Sequence, residues 1–143
     1  MANDEQYTPK YLFAEMALEF DLDVAAPIGG VAWIPAKHYY TQNDDALTKD
    51  WFGLVWMNPP YSKPAPWVDK FIDHANGLAL LPMSKSAWSL KLWNSADAIS
   101  YVGTMKFTQS NGENSQIFMP VLLYGIGELA VKGMNNAAKS RIR

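Results

Sequence analysis

A chain of 143 residues is enough for one compact domain, which buries roughly two thirds of the surface it exposes when unfolded. Apolar residues make up 49% of it and aromatics 13%, which excludes a disordered chain. With no cysteine and a net charge of −2, disulfides, cysteine-ligated metal centres and a uniformly basic coat for nucleic acid are excluded as well.

In chain order, the opening M-A-N-D-E-Q is acidic and polar, unlike a signal peptide, and no apolar run approaches the ~20 residues of a membrane span. The expectation is a soluble protein in a reducing, cytoplasmic setting, away from membranes. Thr8-Pro9 reads as a helix start, threonine as the cap and proline as the first helical residue. Leu12, Phe13, Met16, Ala17 and Phe20 then recur at helical spacing, so a helix with one apolar face is predicted over 9–19. F-D-L-D-V-A-A-P (20–27) has a short strand pattern, and 31–40 holds another, interrupted by Pro35. G-L-V-W-M (53–57) reads as a buried strand that runs straight into Asn58-Pro59-Pro60-Tyr61. Two prolines without N–H groups cannot continue a central strand, so the chain must leave the sheet there.

Pro66-Trp67-Val68 opens a helix that Gly77 is expected to end. Residues 77–82, G-L-A-L-L-P, form the cleanest buried strand, and 86–95 look helical with Trp88, Leu92 and Ser95 along one side. Shorter strands are expected at 98–102 and 105–108, a polar loop at 108–115 and a longer strand at 116–124. Charge is uneven along the chain: residues 1–35 carry six acids and one base, and residues 99–143 five bases and two acids. From about residue 130 the sequence reads as a basic tail, and two roles stay open for it, a patch that attracts phosphate or a frayed, solvated end.

Strands alternating with helices argue for an α/β fold, a single domain over 1–143 with a mostly parallel sheet flanked by helices. Ligands in such sheets bind beyond the carboxyl ends of the strands, and Asp23 and Asn58 both sit at such ends. Only about 35 residues separate them, too few for two complete βα units, so the sheet should be abbreviated between these points. No segment is large enough for a separate target-recognition domain. His38 and His74 lie far apart with no ligand partners at metal spacing, so no metal is expected.

Asn58-Pro59-Pro60-Tyr61 offers a stiff turn, carbonyls with no competing N–H, an amide oxygen and a flat ring. That set suits an amino group conjugated to an aromatic ring or a carbonyl. Such a nitrogen is a poor nucleophile because its lone pair is delocalised. Two acceptors on its N–H bonds favour a pyramidal nitrogen, and they help most as positive charge grows on it. Preorganised groups of this kind are worth about 3–4 kcal/mol each.

N-P-P-Y resembles the catalytic motif of amino-methyltransferases that use S-adenosylmethionine, chiefly the DNA adenine methyltransferases. Chance gives this tetrapeptide in fewer than about one in a thousand chains of this length. Tyr7-Thr8-Pro9, Leu22-Asp23-Val24-Ala25-Ala26, Asp45-Ala46-Leu47 with Trp51, and Val55 to Ser62 resemble the compact phage-type DNA N6-adenine methyltransferases in order and spacing. Trp67, Leu78 to Pro82, Trp88 and Gly103 to Phe107 are similar to that family's later blocks.

The resemblance implies an abbreviated Rossmann-like domain that methylates N6 of adenine in DNA, with S-adenosylmethionine as cofactor. It implies that Asn58 and the Pro59 carbonyl hold the target amino group, that Pro60 stiffens the turn, and that Tyr61 stacks on the base. It places Tyr7, Thr8 and Pro9 near the methionine end of the cofactor, Asp23 and Ala25 in the cofactor loop, and Asp45 near the cofactor's adenine. The family's glycine-rich loop after the first strand is missing, with Gly29 and Gly30 as late substitutes. That leaves room for a homodimer in which a second subunit completes the site or widens the DNA surface. With little protein to read base edges, short or relaxed sequence specificity is expected. A protein glutamine amide or an RNA amino group as substrate, and a module that has lost catalysis, stay open as alternatives. So do plainer roles for Asp23 as a strand terminator and for Asp45 as a loop carboxylate.

Overall fold

The computed structural model describes residues 8, 10–103, 106–108, 114–116, 120–137, 140, 141 and 143. Among them are nine strands and four α-helices, with one short 3-10 turn at Ala46–Thr48. In chain order these are α1 (Lys10–Met16), β1 (Phe20–Asp23), β2 (Ala36–Tyr39), β3 (Val55–Met57), α2 (Ala65–His74), β4 (Gly77–Pro82), α3 (Ala87–Ser95), β5 (Ala98–Gly103), β6 (Lys106–Thr108), β7 (Asn114–Gln116), β8 (Val121–Ile126), α4 (Glu128–Ala137) and β9 (Ser140–Arg141).

Seven strands form one sheet in the order β2-β1-β3-β4-β8-β5-β9, and β6 and β7 pair separately as a two-stranded ribbon. β2, β1, β3 and β4 are mutually parallel, while β8 runs antiparallel to both β4 and β5. β1 to β5 therefore share one direction, which β8 and β9 oppose. The α/β reading with a mostly parallel sheet holds. The abbreviation also holds: β1 reaches β2 through residues 24–35 without any helix, so no full βα unit lies between them.

Side-chain alternation divides the core into two layers. Phe20, Trp56, Leu78, Leu80 and Leu123 point toward α1 and α4, where they meet Leu12, Phe13, Met16, Ala130 and Met134. Leu22, Val55, Met57, Ala79 and Leu81 point the other way, onto Val68 and Phe71 of α2 and Leu92 of α3. Phe13 meets Trp56 edge-on at 4.8 Å between ring centroids, which fixes α1 over β3.

Three expectations are corrected. Gly77 does not end α2: Ala75 does so with a left-handed φ of 60°. Gly77 instead begins β4, where a Cβ would stand 2.4 Å from the Val55 carbonyl oxygen, so only glycine lets the two strands approach. The long strand at 116–124 is two elements, β7 and β8, with Pro120 between them. The basic tail from about 130 is also corrected. Residues 128–137 are α4, and its Ala130, Gly133, Met134 and Ala137 are buried. Residues 140–141 pair with β5, and Arg143 donates to the Trp93 and Ala96 carbonyls at the end of α3. Of the expected polar loop at 108–115, residues 109–113 lie outside the described residues.

Candidate active site

The chain goes from β1 outward to β2 and then returns to the opposite side of β1 as β3, so strand order reverses between β1 and β3. In open α/β sheets such a reversal marks the ligand crevice at the carboxyl ends of the strands. Asp23 is the last residue of β1 and Asn58 the first after β3. Asp23 pairs with Trp56, and the Val24 N–H donates to the Trp56 carbonyl at 3.1 Å. The two candidate residues thus stand on adjacent strand ends, on one rim.

Asn58 is held from two sides. Its Nδ2 donates to Thr8 Oγ1 at 3.1 Å, and the Tyr61 hydroxyl donates to its Oδ1 at 2.7 Å. The Tyr61 hydroxyl also lies 3.2 Å from the Leu80 carbonyl. Burial pushes that phenol well above its usual value, so it remains a proton donor at any working pH. Pro59 is buried and Pro60 half-buried, and the turn crosses the end of the sheet. Asn58 meets Thr8 ahead of α1, while the Tyr61 ring packs against the α2 and α3 layer.

Asp23 is 3% exposed. Its Oδ1 accepts the Ala25 N–H at 3.2 Å, closing a tight turn directly after the strand. Desolvation pushes its carboxyl up to about 7, more than that single backbone bond offsets. A buried carboxyl in this state is a ready partner for a cationic group. Beyond it, Gly29 and Gly30 take left-handed φ values of 88° and 73° in a turn where the Gly30 N–H donates to the Pro27 carbonyl at 2.8 Å.

The remaining expected cofactor residues fall differently. Thr8 is fully buried and lies against Asn58, while Tyr7 and Pro9 lie outside the described residues. Ala25 stays beside Asp23 through its backbone N–H. Asp45 is exposed on the turn after β2, with a left-handed φ of 54°, and makes no side-chain bond to the 3-10 turn it precedes. Its neighbour Asp44 fixes that turn instead, accepting from the Thr41 N–H at 2.8 Å. Among the described residues no cluster of three or more metal-ligating side chains occurs.

Next to Tyr61 opens a cleft of about 320 Å³, lined among others by Ser62, Leu81, Met83, Ser84, Ser86 and Trp88. Its lining mixes apolar side chains with serine hydroxyls, and the exposed Lys63 and Lys85 are adjacent in sequence to lining residues. Trp88, which helical spacing sets along one side of α3 with Leu92, has one side on the α2 and α3 layer and the other on this cleft. Trp93, on the same helix, lies at the surface beneath the Arg143 guanidinium. Periodicity cannot separate these cases, because a residue at a helix end borders both the core and the rim.

The family model for DNA N-6-adenine-methyltransferase (Dam) matches residues 1–121, most of the chain. The chain belongs to the Dam family. The match reaches from the N-terminal segment to the start of β8 and includes both Asp23 and Asn58. A Dam relative from Haemophilus phage HP1, named DNA N-6-adenine-methyltransferase, is 39% identical over 59 residues, 41% of this chain and 32% of its own length. A relative of the same name from Escherichia phage T1 is 35% identical over 92 residues, 59% of this chain and 37% of its own length. The chain thus spans about a third of the length of the curated relatives it matches. No solved structure matches it. Among the described residues no helix is long and apolar enough to cross a membrane.

Proposed function

We propose that this Dam-family chain transfers a methyl group from S-adenosylmethionine to the exocyclic amino group, N6, of adenine in DNA. The observation that carries the reading is the Asn58 amide, fixed between Thr8 and Tyr61 at the reversal of strand order. An amide oxygen has two lone pairs, so Oδ1 can hold the Tyr61 hydroxyl and a substrate N–H together. With the Pro59 carbonyl as second acceptor, the target nitrogen is drawn toward the pyramidal form that attacks.

S-adenosylmethionine, when bound, supplies an electrophilic methyl group on a sulfonium. Its methyl carbon would pass from sulfur to the target nitrogen held by Asn58 and Pro59, and the extra proton on that nitrogen would then leave to solvent. No side chain has to remove a proton before attack. The residues present fit such a cofactor: the buried Asp23 carboxyl suits its ammonium group, and the Ala25 N–H already bonds that carboxyl from the turn after the strand. Asp45 and the Tyr7 to Pro9 segment are proposed as further contacts, to the adenine and the methionine end. The cleft beside Tyr61 has the size and the partly apolar lining for an unstacked base, and the exposed Lys63 and Lys85, neighbours in sequence of lining residues, suit flanking phosphates. Taking adenine out of the duplex stack costs a few kcal/mol, which that cleft must repay.

The test is incubation of the purified protein with methyl-labelled S-adenosylmethionine and, separately, double-stranded DNA, single-stranded DNA, RNA and a glutamine-rich protein. Label recovered as N6-methyladenine from DNA is the expected result. Label in RNA or in a protein amide would replace the substrate, and cofactor binding without any transfer would make the chain an inactive module.

A further inference from the structure

We infer that Thr8 and Trp33 are positioning residues that, with Tyr61, hold the Asn58 amide with its oxygen end toward the substrate. The inference rests on the reading of Asn58 as the group that holds the amine. An amide's oxygen and nitrogen ends are nearly identical in shape, so only hydrogen-bond partners decide which way the group points. The wrong orientation would offer the target nitrogen a donor in place of an acceptor.

Both ends of Asn58 are read in this structure. Thr8 Oγ1 accepts from Nδ2 at 3.1 Å, and the Tyr61 hydroxyl donates to Oδ1 at 2.7 Å. In the flipped amide the Tyr61 hydroxyl would have to accept from Nδ2 and send its own proton to the Leu80 carbonyl. That bond is 3.2 Å long and weaker than the 2.7 Å bond to Oδ1, while the Thr8 hydroxyl can serve either end of the amide as acceptor or donor. The Tyr61 hydroxyl therefore favours the observed orientation, and Thr8 holds the amide in it.

Thr8 can perform this role only if its backbone is fixed, and Trp33 fixes it. The Trp33 indole Nε1 donates to the Thr8 carbonyl at 2.7 Å across 25 residues of chain. Its ring packs, partly buried, against the core layer of α1 and α4. Thr8 itself is fully buried, so neither of its bonds is exchanged with water at low cost. Trp33, Thr8, Asn58, Tyr61 and Leu80 thus form a relay from the loop after β1, through the N-terminal segment and the turn after β3, to β4. The loop that follows Asp23 and the turn that holds the amine are joined by it.

The test is NMR of the Asn58 side-chain amide, assigned by its loss in Asn58→Asp, together with steady-state methylation of DNA. In the wild-type protein, cross-peaks between the Asn58 Nδ2 protons and the Thr8 side chain are expected, and their absence overturns the proposal without any variant. Thr8→Val keeps the side-chain shape but removes the acceptor. It should shift the Asn58 amide resonance and speed its exchange with solvent, and lower kcat about tenfold with KM for DNA within threefold. Thr8→Ser should restore the resonance and at least half of the lost rate, which a merely structural defect would not show. Trp33→Phe should give the same changes in smaller measure. An unchanged Asn58 resonance and kcat in Thr8→Val overturn the relay while leaving adenine methylation intact. The expected resonance changes in a protein that methylates no DNA would support the relay and refute the reaction.

Discussion

Replacing Asp23 by asparagine removes a charge while keeping an oxygen that can accept the Ala25 N–H. In the folded protein the carboxyl titrates at about 7, against 3.8 for the ordinary group, because burial penalises the charged form. Below pH ~4 the carboxyl is protonated in both folded and unfolded chains, and the residue costs nothing. Between pH ~4 and ~7 the unfolded chain releases the proton while the folded one retains it, so stability falls as pH rises. At about 1.4 kcal/mol for each pH unit, the loss reaches roughly 4 kcal/mol by pH 7 and then levels off. Asparagine does not titrate. The stability advantage of Asp23→Asn should therefore grow through this window and plateau above it, as measured by urea unfolding of both proteins from pH 4.5 to 8.5. The same variant should bind S-adenosylmethionine at least tenfold more weakly at pH 8, gaining stability as it loses function. Parallel stability curves across that range would refute the reasoning, because they would mean that Asp23 meets water or a cation in the folded protein.

Asn58→Ala should lower turnover by two to three orders of magnitude, the worth of one preorganised group, with cofactor affinity by calorimetry within a few-fold. Gly77→Ala should destabilise by about 2 kcal/mol or more in chemical unfolding, since its Cβ would stand 2.4 Å from the Val55 carbonyl oxygen. Met134→Ala should cost about 2–5 kcal/mol, because Met134 is fully buried and the C-terminal helix belongs to the core. A tail would tolerate the change. Single-molecule sequencing of methylated DNA should reveal a recognition site of fewer than six base pairs, and a strict longer site would contradict the small reading surface.

The parts of the fold that were legible in the sequence are those where one pattern had no competitor. Residues 77–82 are apolar without a break and bounded by glycine and proline, and they form β4 at those limits. Asp23 and Asn58 could be placed on one rim because each ends a strand and parallel strands end together. α4 was hidden by its own packing. Gly133 stands where a Cβ would lie 2.2 Å from Leu18 Cδ1, and with Ala130 and Ala137 it forms the small-residue face of a close contact. In sequence, Gly133 and the two asparagines after it are poor helix formers, and the run reads as a tail. At the site, Tyr61 was legible as a ring but not as a hydroxyl, and its bond to Asn58 exists only once the turn brings residues three apart together. Trp33 was illegible altogether, since its partner Thr8 lies 25 residues away and no periodicity links them. Asp45 matched a block in order and spacing, yet it stands exposed on the turn after β2.

The most direct test of the central claim is mass spectrometry of nucleosides from the genomic DNA of a host that lacks adenine methylation of its own. The host would express either this protein or Asn58→Ala at equal, soluble levels. N6-methyladenine with the first and not with the second is the predicted result. Its absence from both, with protein shown to be folded and to bind S-adenosylmethionine, would contradict the account, as would equal methylation from both.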